Sequence, residues 1–252
     1  AINMGENDPN FGLLVDVDGD ERIIGGIVDI GADEFFVSGC DSITSNIVYV
    51  DAAAVGNNDG SSWSNAFTDL QDALLLKTFC SNIDTIKVAQ GTYYPSDTTV
   101  VFDRCTGLPT DTILPDRSIS FNIPDSAVLL GGYLNGGSET RDWECNKTIL
   151  CGDIDRNGIL DGGNSLRVVI TDHVSDQTII DGFCITGGYA DGASPVNSGA
   201  GWYNDGKNGI SSPIIRNCTI KNNTADFEGG GMYNNGQQGE ASPTYLNCRF
   251  LS

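Results

Sequence analysis

The chain has 252 residues, 34 acidic side chains against 13 basic ones, a formal net charge of −21, 32 glycines and eight cysteines. So acidic a surface argues against nucleic acid, which needs a basic face, and against anionic membranes. It accommodates a hard cation such as Ca²⁺, and it is equally the mark of a soluble, self-repelling surface.

No run approaches the roughly 18 apolar residues of a membrane-spanning helix. The cysteines show neither a Cys-x-x-Cys pair nor zinc spacing. They read as a mixture of disulfides in an exported protein and small buried apolar residues.

In chain order, the first feature is "DVDGDERIIGGIVDIGADEF", Asp16 to Phe35, an acidic loop followed by two short apolar runs. Asp16, Asp18 and Asp20 alternate as calcium ligands do, but Gly19 comes too early for the usual loop, so they are the weaker of two Ca²⁺ candidates. "IVYVD" (Ile47 to Asp51) and "TIKVA" (Thr85 to Ala89) then read as neighbouring strands. Cys40 and Cys80 precede them, and a Cys40–Cys80 disulfide is expected to tie the incoming segment to the first repeat. Between the strands, "TDLQDALLLK" has helical spacing, with Leu70, Ala73 and Leu74 on one apolar face and Thr68 and Gln71 as a capping box. A helix there covers the open edge of the strands that follow.

Further on, Cys105 and Cys145 are candidates for a second disulfide across a loop. "DIDRNGILDGGN" (Asp153 to Asn164) is the stronger calcium candidate. Asp153, Asp155 and Asn157 stand at loop positions 1, 3 and 5, Gly158 at 6, the Ile159 carbonyl at 7 and Asp161 at 9. Asn164 takes position 12, where a bidentate acid is expected, so a plain Asx-rich turn is the competing reading. The single histidine, His173, sits in "VITDHVSD" and reads as a surface residue.

The second half repeats itself. "GAGWYNDGKNGISSPIIRNCTI" (Gly199 to Ile220) returns as "GGGMYNNGQQGEASPTYLNCRF" (Gly229 to Phe250) at a constant offset of 30. An earlier copy places Ile179, Ile180, Phe183 and Ile185 ahead of Ile214, Ile215, Cys218 and Ile220 by 35. The unit is too short and too rich in Gly and Asn for a helix pair, and it supplies two or three short strands separated by turns. That describes one rung of an all-β parallel β-helix, a solenoid with one short N-terminal capping helix. In such a stack Cys218 lies over Cys248, Ile220 over Phe250, and Asn217 over Asn247 as an amide ladder. Cys184, Cys218 and Cys248 then read as buried thiols.

These residues, with "NIVYVDAAAVGNNDGSSWSNAFTDLQDALL", "LLGGYLNGGSETRDWECNKTILCGDID" and "DGFCITGG", resemble the right-handed parallel β-helix domains of large bacterial surface and secreted proteins. Those domains share the pectin-lyase-like superfold and are similar to polymorphic outer-membrane proteins. The resemblance runs from Val48 to the C-terminus and implies fold and extracellular display. It also divides the chain. Residues 1–39 are similar to the closing segment of such a β-helix, and residues 40–252 form a new one that stops in "CRFLS" without a terminal cap. The expected partners are therefore flanking domains of a longer chain, or other copies stacked head to tail into a filament.

Enzymes on this superfold cleave acidic polysaccharides, using paired carboxylates or an Arg or Lys base beside Ca²⁺. No hydrolase-like segment is present, one His is available, and an acidic protein repels uronate chains. The expectation is an extracellular structural or adhesive protein without catalytic residues or any cofactor other than Ca²⁺. A polysaccharide lyase or glycosidase, or a non-catalytic glycan-binding module, is the alternative. Trp63, Trp143, Trp202, Tyr203 and Tyr233 are the aromatics available for sugars or for packing.

Overall fold

A computed structural model describes residue 40 and residues 45–95, 116–138 and 140–251, with the backbone of 23–24, 27–28, 101–102 and 109–111. The chain divides into two compact units, Ala1–Ser42 and Ile43–Ser252. In the first, Ile23–Ile24 and Ile27–Val28 pair antiparallel. The Asp16, Asp18 and Asp20 candidate lies outside the described residues.

The second unit is mostly β, with a single helix among its described residues. Its strands are short because turn residues interrupt every few alternating apolar positions. Most collect into three larger parallel sheets, beside two two-stranded parallel pairs. A four-stranded sheet takes Phe121–Ile123, Val169–Asp172, Trp202–Asp205 and Met232–Asn235. A six-stranded sheet takes Ile47–Val50, Thr85–Ala89, Val128–Tyr133, Ile179–Asp181, Ile214–Arg216 and Thr244–Leu246. A five-stranded sheet takes Gly91–Tyr93, Thr148–Cys151, Phe183–Thr186, Thr219–Lys221 and Arg249–Leu251. From Val169 onward each repeat visits the three sheets in that order. The small Val101–Phe102 and Pro109–Asp111 pair is antiparallel.

Both sequence offsets reappear as strand register. Ile179 and Ile180 pair with Ile214 and Ile215, and Ile185 with Ile220, which is the 35-residue offset. Trp202, Tyr203 and Asn204 pair with Met232, Tyr233 and Asn234, which is the 30-residue offset. Alternate residues of a strand point to opposite faces, so in-phase pairing makes continuous rows. Val48, Ile86, Leu129, Ile180 and Ile215 form one fully buried row. Tyr93, Leu150, Ile185 and Ile220 form a second, and Phe121, Val169 and Trp202 a third. Burying such side chains contributes about 1.5–3 kcal/mol each. The rows stay buried at the strands nearest the helix, with Val48 2% and Phe121 0% exposed, and become exposed at the last strands in chain order: Ile220 is 1% exposed, whereas its partner Phe250 is 49% exposed.

Polar ladders run beside the apolar ones. Buried Asn204 accepts from Thr171 Oγ1 (2.9 Å) and Ser211 Oγ (2.7 Å) and donates to Asn234 Oδ1 (3.1 Å). The Trp202 indole donates to Thr171 Oγ1 at 2.9 Å, so this tryptophan belongs to the core. Between the six- and five-stranded sheets the chain turns through a left-handed residue, Gly182 (φ 88°), Asn217 (φ 52°) or Asn247 (φ 53°). Asn tolerates that conformation and brings an amide with it. Asn247 Nδ2 donates to Asn217 Oδ1 at 2.8 Å, the ladder expected from the repeat.

The helix spans Leu70–Phe79 and buries Leu70, Ala73, Leu74 and Lys77. It packs against Phe121–Ile123 and Ile47–Val50, the outermost strands of two sheets. Its N-cap is Asp69, whose carboxylate accepts from Gln71 N at 2.9 Å, and not Thr68. Thr68 is engaged elsewhere, because its N–H (2.7 Å) and hydroxyl (3.2 Å) both donate to Asn58 Oδ1.

Asn217→Gly should keep the turn and lose the amide ladder, costing about 1 kcal/mol. Asn217→Ala should cost about 2 kcal/mol or more, because a Cβ without a compensating side chain is strained at positive φ. Urea unfolding of the two variants checks the order.

Candidate functional site

Among the described residues, a concavity with chemistry on its walls lies on the outer face of the five-stranded sheet. Thr148, Leu150, Phe183, Ile185, Cys218 and Ile220 point inward. The residues between them therefore point out, and Ile149, Cys184, Thr219 and Arg249 stand in register across four strands. The wall comes from the segment after Val128–Tyr133, which brings Trp143, Glu144 and Lys147 over this floor. Asn217 and Asn247 complete the lining of a groove of about 330 Å³.

Two glycines let the wall approach. At Gly132 (φ 96°) a Cβ would lie 2.8 Å from the Trp143 backbone. At Gly182 (φ 88°) it would lie 2.6 Å from an Arg141 nitrogen. Arg141 fastens the wall to the sheet. Its Nε donates to Gly131 O (2.9 Å), one amino group donates to Asp181 O (3.0 Å) and to Asp181 Oδ1 (2.6 Å), and its guanidinium lies 5.2 Å from the Trp143 ring centre.

Asp181 is the charge behind the groove, with its side chain 6% exposed. Asn217 Nδ2 donates to the carboxylate at 2.8 Å, and Arg216 Nε lies 3.1 Å from Oδ2. The Arg216 contact is ionic and not a directed hydrogen bond, since the buried Nε–H finds no aligned acceptor. Burial pushes the Asp181 pKa up, but the Arg141 hydrogen bond and charge, the Asn217 amide and Arg216 outweigh it. Asp181 is therefore held below the usual carboxylate range and stays ionised. Among the described residues lining the groove, Glu144 is the one carboxylate. General acid–base cleavage of a glycosidic bond uses two carboxyl groups flanking that bond.

The Asp153, Asp155, Asn157, Ile159 and Asp161 set occupies a loop closed by its own hydrogen bonds. Asp153 accepts from Asn157 N (3.1 Å) and Gly158 N (2.9 Å). Asn157 Oδ1 accepts from Ile159 N (2.6 Å), and Asp161 Oδ1 from Gly163 N (2.8 Å). Desolvation, then the neighbouring Asp153 and Asp161, raise the Asp155 pKa. Among the described residues no group of three or more His, Cys, Asp or Glu side chains is arranged to hold a metal ion. These hydrogen bonds give the loop the form of an Asx-rich turn.

Cys40 and Cys80 are disulfide-bonded. Cys145 is a free, exposed thiol, and its candidate partner Cys105 lies outside the described residues. Cys151, Cys184, Cys218 and Cys248 are also free. Burial pushes the Cys218 thiol up to about 12, so it is an inert core thiol.

The remaining aromatics pack on protein. Trp63 sits between Tyr49 (4.9 Å) and Tyr133 (5.2 Å), and Tyr203 stacks on Tyr233 (5.6 Å) beneath the Arg167 guanidinium. Of the five candidate aromatics, Trp143 lines the groove. His173 lies on the surface, its ring bonded on one side to Asp172 and on the other to Lys207 O (2.9 Å).

Cys184, expected as a buried thiol, instead points outward between buried Phe183 and Ile185; the alternation of the repeat, which places it beside Thr219 and Arg249, is the signal that could have shown this. The wall residues Trp143 and Lys147 carry no such signal, because they lie in a segment outside the repeat. The chain matches no family model, no curated protein and no solved structure.

Asp153→Ala removes the acceptor of two backbone N–H groups and should cost about 1 kcal/mol. That loss should be the same in EDTA and in CaCl₂; a calcium-built loop would instead give a Tm that rises with Ca²⁺ in the parent protein and not in the variant.

The hydrogen bond to Asp172, with Lys207 O and Asp205 adding to it, raises the His173 pKa above 6.5. A raised pKa means that its stabilising contribution is complete below the unfolded value and is lost as pH rises through the folded one. The single His makes the check direct. Its ring proton should titrate above 6.5 by NMR, and Asp172→Asn should move the midpoint down.

Proposed function

We propose that the chain is a right-handed parallel β-helix, a solenoid with one coil per repeat, serving outside the cell as a stiff structural and adhesive element. One observation carries this reading. Successive repeats pair strand for strand in three parallel sheets, with inward residues held over inward residues from one repeat to the next. Such an arrangement turns a short repeat into a continuous core and offers a long regular outer surface.

Two further facts support it. A Cys40–Cys80 disulfide suits an oxidising, extracellular compartment. In-register pairing along three parallel sheets is a geometry that a flanking domain or a second copy, stacked head to tail, could continue. No helix of the described residues is long and apolar enough to cross a membrane.

The competing reading is a polysaccharide-cleaving enzyme. Incubation with polygalacturonate and with sulfated and neutral glycans should give neither new reducing ends nor unsaturated products. Robust turnover that survives repurification would overturn the structural reading.

A further inference from the structure

One cation of the helix is buried without a partner. Lys77 lies in the last turn of Leu70–Phe79, where a positive charge suits the negative end of a helix. It is only 8% exposed, so more than nine-tenths of it is withdrawn from water. Among the described residues it joins no ion pair and no side-chain hydrogen bond. The helix end does not account for this burial, because a lysine at such a place can lay its stem on apolar neighbours and keep its ammonium in open water. A buried charge is costly unless something pairs with it.

Lys77 lines a pocket of about 420 Å³ between the end of the helix and the turn that follows Phe121–Ile123. That volume lies within the usual range of small-molecule sites. Ser81 brings a hydroxyl to the pocket, Asn122 an amide, and Ile123 and Pro124 an apolar wall. The Thr78 hydroxyl also lines it, but its proton is already donated to Leu74 O at 2.9 Å. Asp125 is the acid of the pocket, and it is engaged from the other side. Its Oδ1 accepts from Ser175 N (2.6 Å), Ser175 Oγ (2.7 Å) and Thr178 Oγ1 (3.3 Å), and its Oδ2 from Ser126 Oγ (3.1 Å). Burial pushes the Asp125 pKa up, but the hydrogen bonds from Ser175 and Ser126 outweigh it, so Asp125 stays ionised.

We propose that this pocket binds a small monocarboxylate, one carboxyl group on a short apolar body. The Lys77 ammonium supplies the missing counter-charge, the Ser81 hydroxyl and Asn122 amide are further donors for the carboxylate oxygens, and Ile123 and Pro124 cover the body. Phosphate or sulfate would bring a second negative charge into a pocket that already holds Asp125 and lies at the carbonyl end of the helix. A neutral alcohol would leave Lys77 unpaired. The site is independent of the extracellular structural reading, since neither compartment nor adhesion enters the argument.

The full chain, labelled with carbon-13 at the ε position of its five lysines, is titrated by NMR with sodium hexanoate at constant ionic strength. Lys77→Arg assigns the Lys77 signal by its loss. Hexanol supplies the same body without the charge, and sodium phosphate and sodium sulfate supply charge without the body. The Lys77 signal should move saturably with hexanoate, at a concentration at least about tenfold below that needed with any of the other three. Lys207, exposed and outside the pocket, should not move. By isothermal titration, Lys77→Met, which keeps the stem and removes the charge, should weaken hexanoate about tenfold, and Lys207→Met less than about twofold. Circular dichroism checks that the variants are folded. If Lys77→Met does not fold, the Lys77 signal of the parent chain decides alone.

A Lys77 signal that does not respond saturably to hexanoate overturns the proposal. So does an equal response to hexanol, which would mean an apolar contact only, or to phosphate or sulfate, which would mean charge without selection. Unchanged hexanoate affinity in folded Lys77→Met overturns it as well.

Discussion

Everything in the larger unit depends on phase. A parallel ladder that slips by one residue moves every inward side chain to the outside. Here the phase holds along Val48, Ile86, Leu129, Ile180 and Ile215, although the sequence distance between successive members varies from 35 to 51 residues. The variation falls between the stacked strands, in turns and in inserted elements such as the helix Leu70–Phe79. Residues such as Gly182, Asn217 and Asn247 restart each strand at the same angle, because they tolerate a left-handed backbone at the same corner of each repeat.

The same constraint builds the groove. Because inward positions are fixed by the core, outward positions are fixed too, and Cys184, Thr219 and Arg249 line up without any contact that draws them together. The wall needs its own anchor. Asp181 supplies it by accepting from Arg141 and Asn217 at once, so that one buried carboxylate joins the wall, the six-stranded sheet and the corner ladder. A buried charge is costly alone, and removing either arginine would leave Asp181 less compensated. The anchor is thus a point where stability and the shape of the site are coupled.

Much of this fold was legible in the repeats. The offsets of 30 and 35, the inward row through Ile185 and Ile220, the Asn217–Asn247 ladder, the Cys40–Cys80 bond and the apolar face of the helix are all visible as spacing or position. The helix cap was not. Thr68 and Asp69 are equally good caps on paper, and only the fold brings Asn58 close enough to occupy Thr68. The aromatic residues were equally undecided, since Trp202, Trp63 and Trp143 have the same chemistry and differ only in what surrounds them.

The sequence by itself determined a repeating parallel architecture, because apolar alternation and Gly or Asn at fixed offsets leave few other ways to bury the same residues repeatedly. It also determined a net charge that disfavours anionic partners on average. Only the tertiary structure decided where that average fails. Lys147 and Arg249 are far apart in the chain and separated by acidic stretches. Strand stacking and the Arg141–Asp181 clamp bring them to one groove, and electrostatics at a few ångströms follows neighbours in space and not composition.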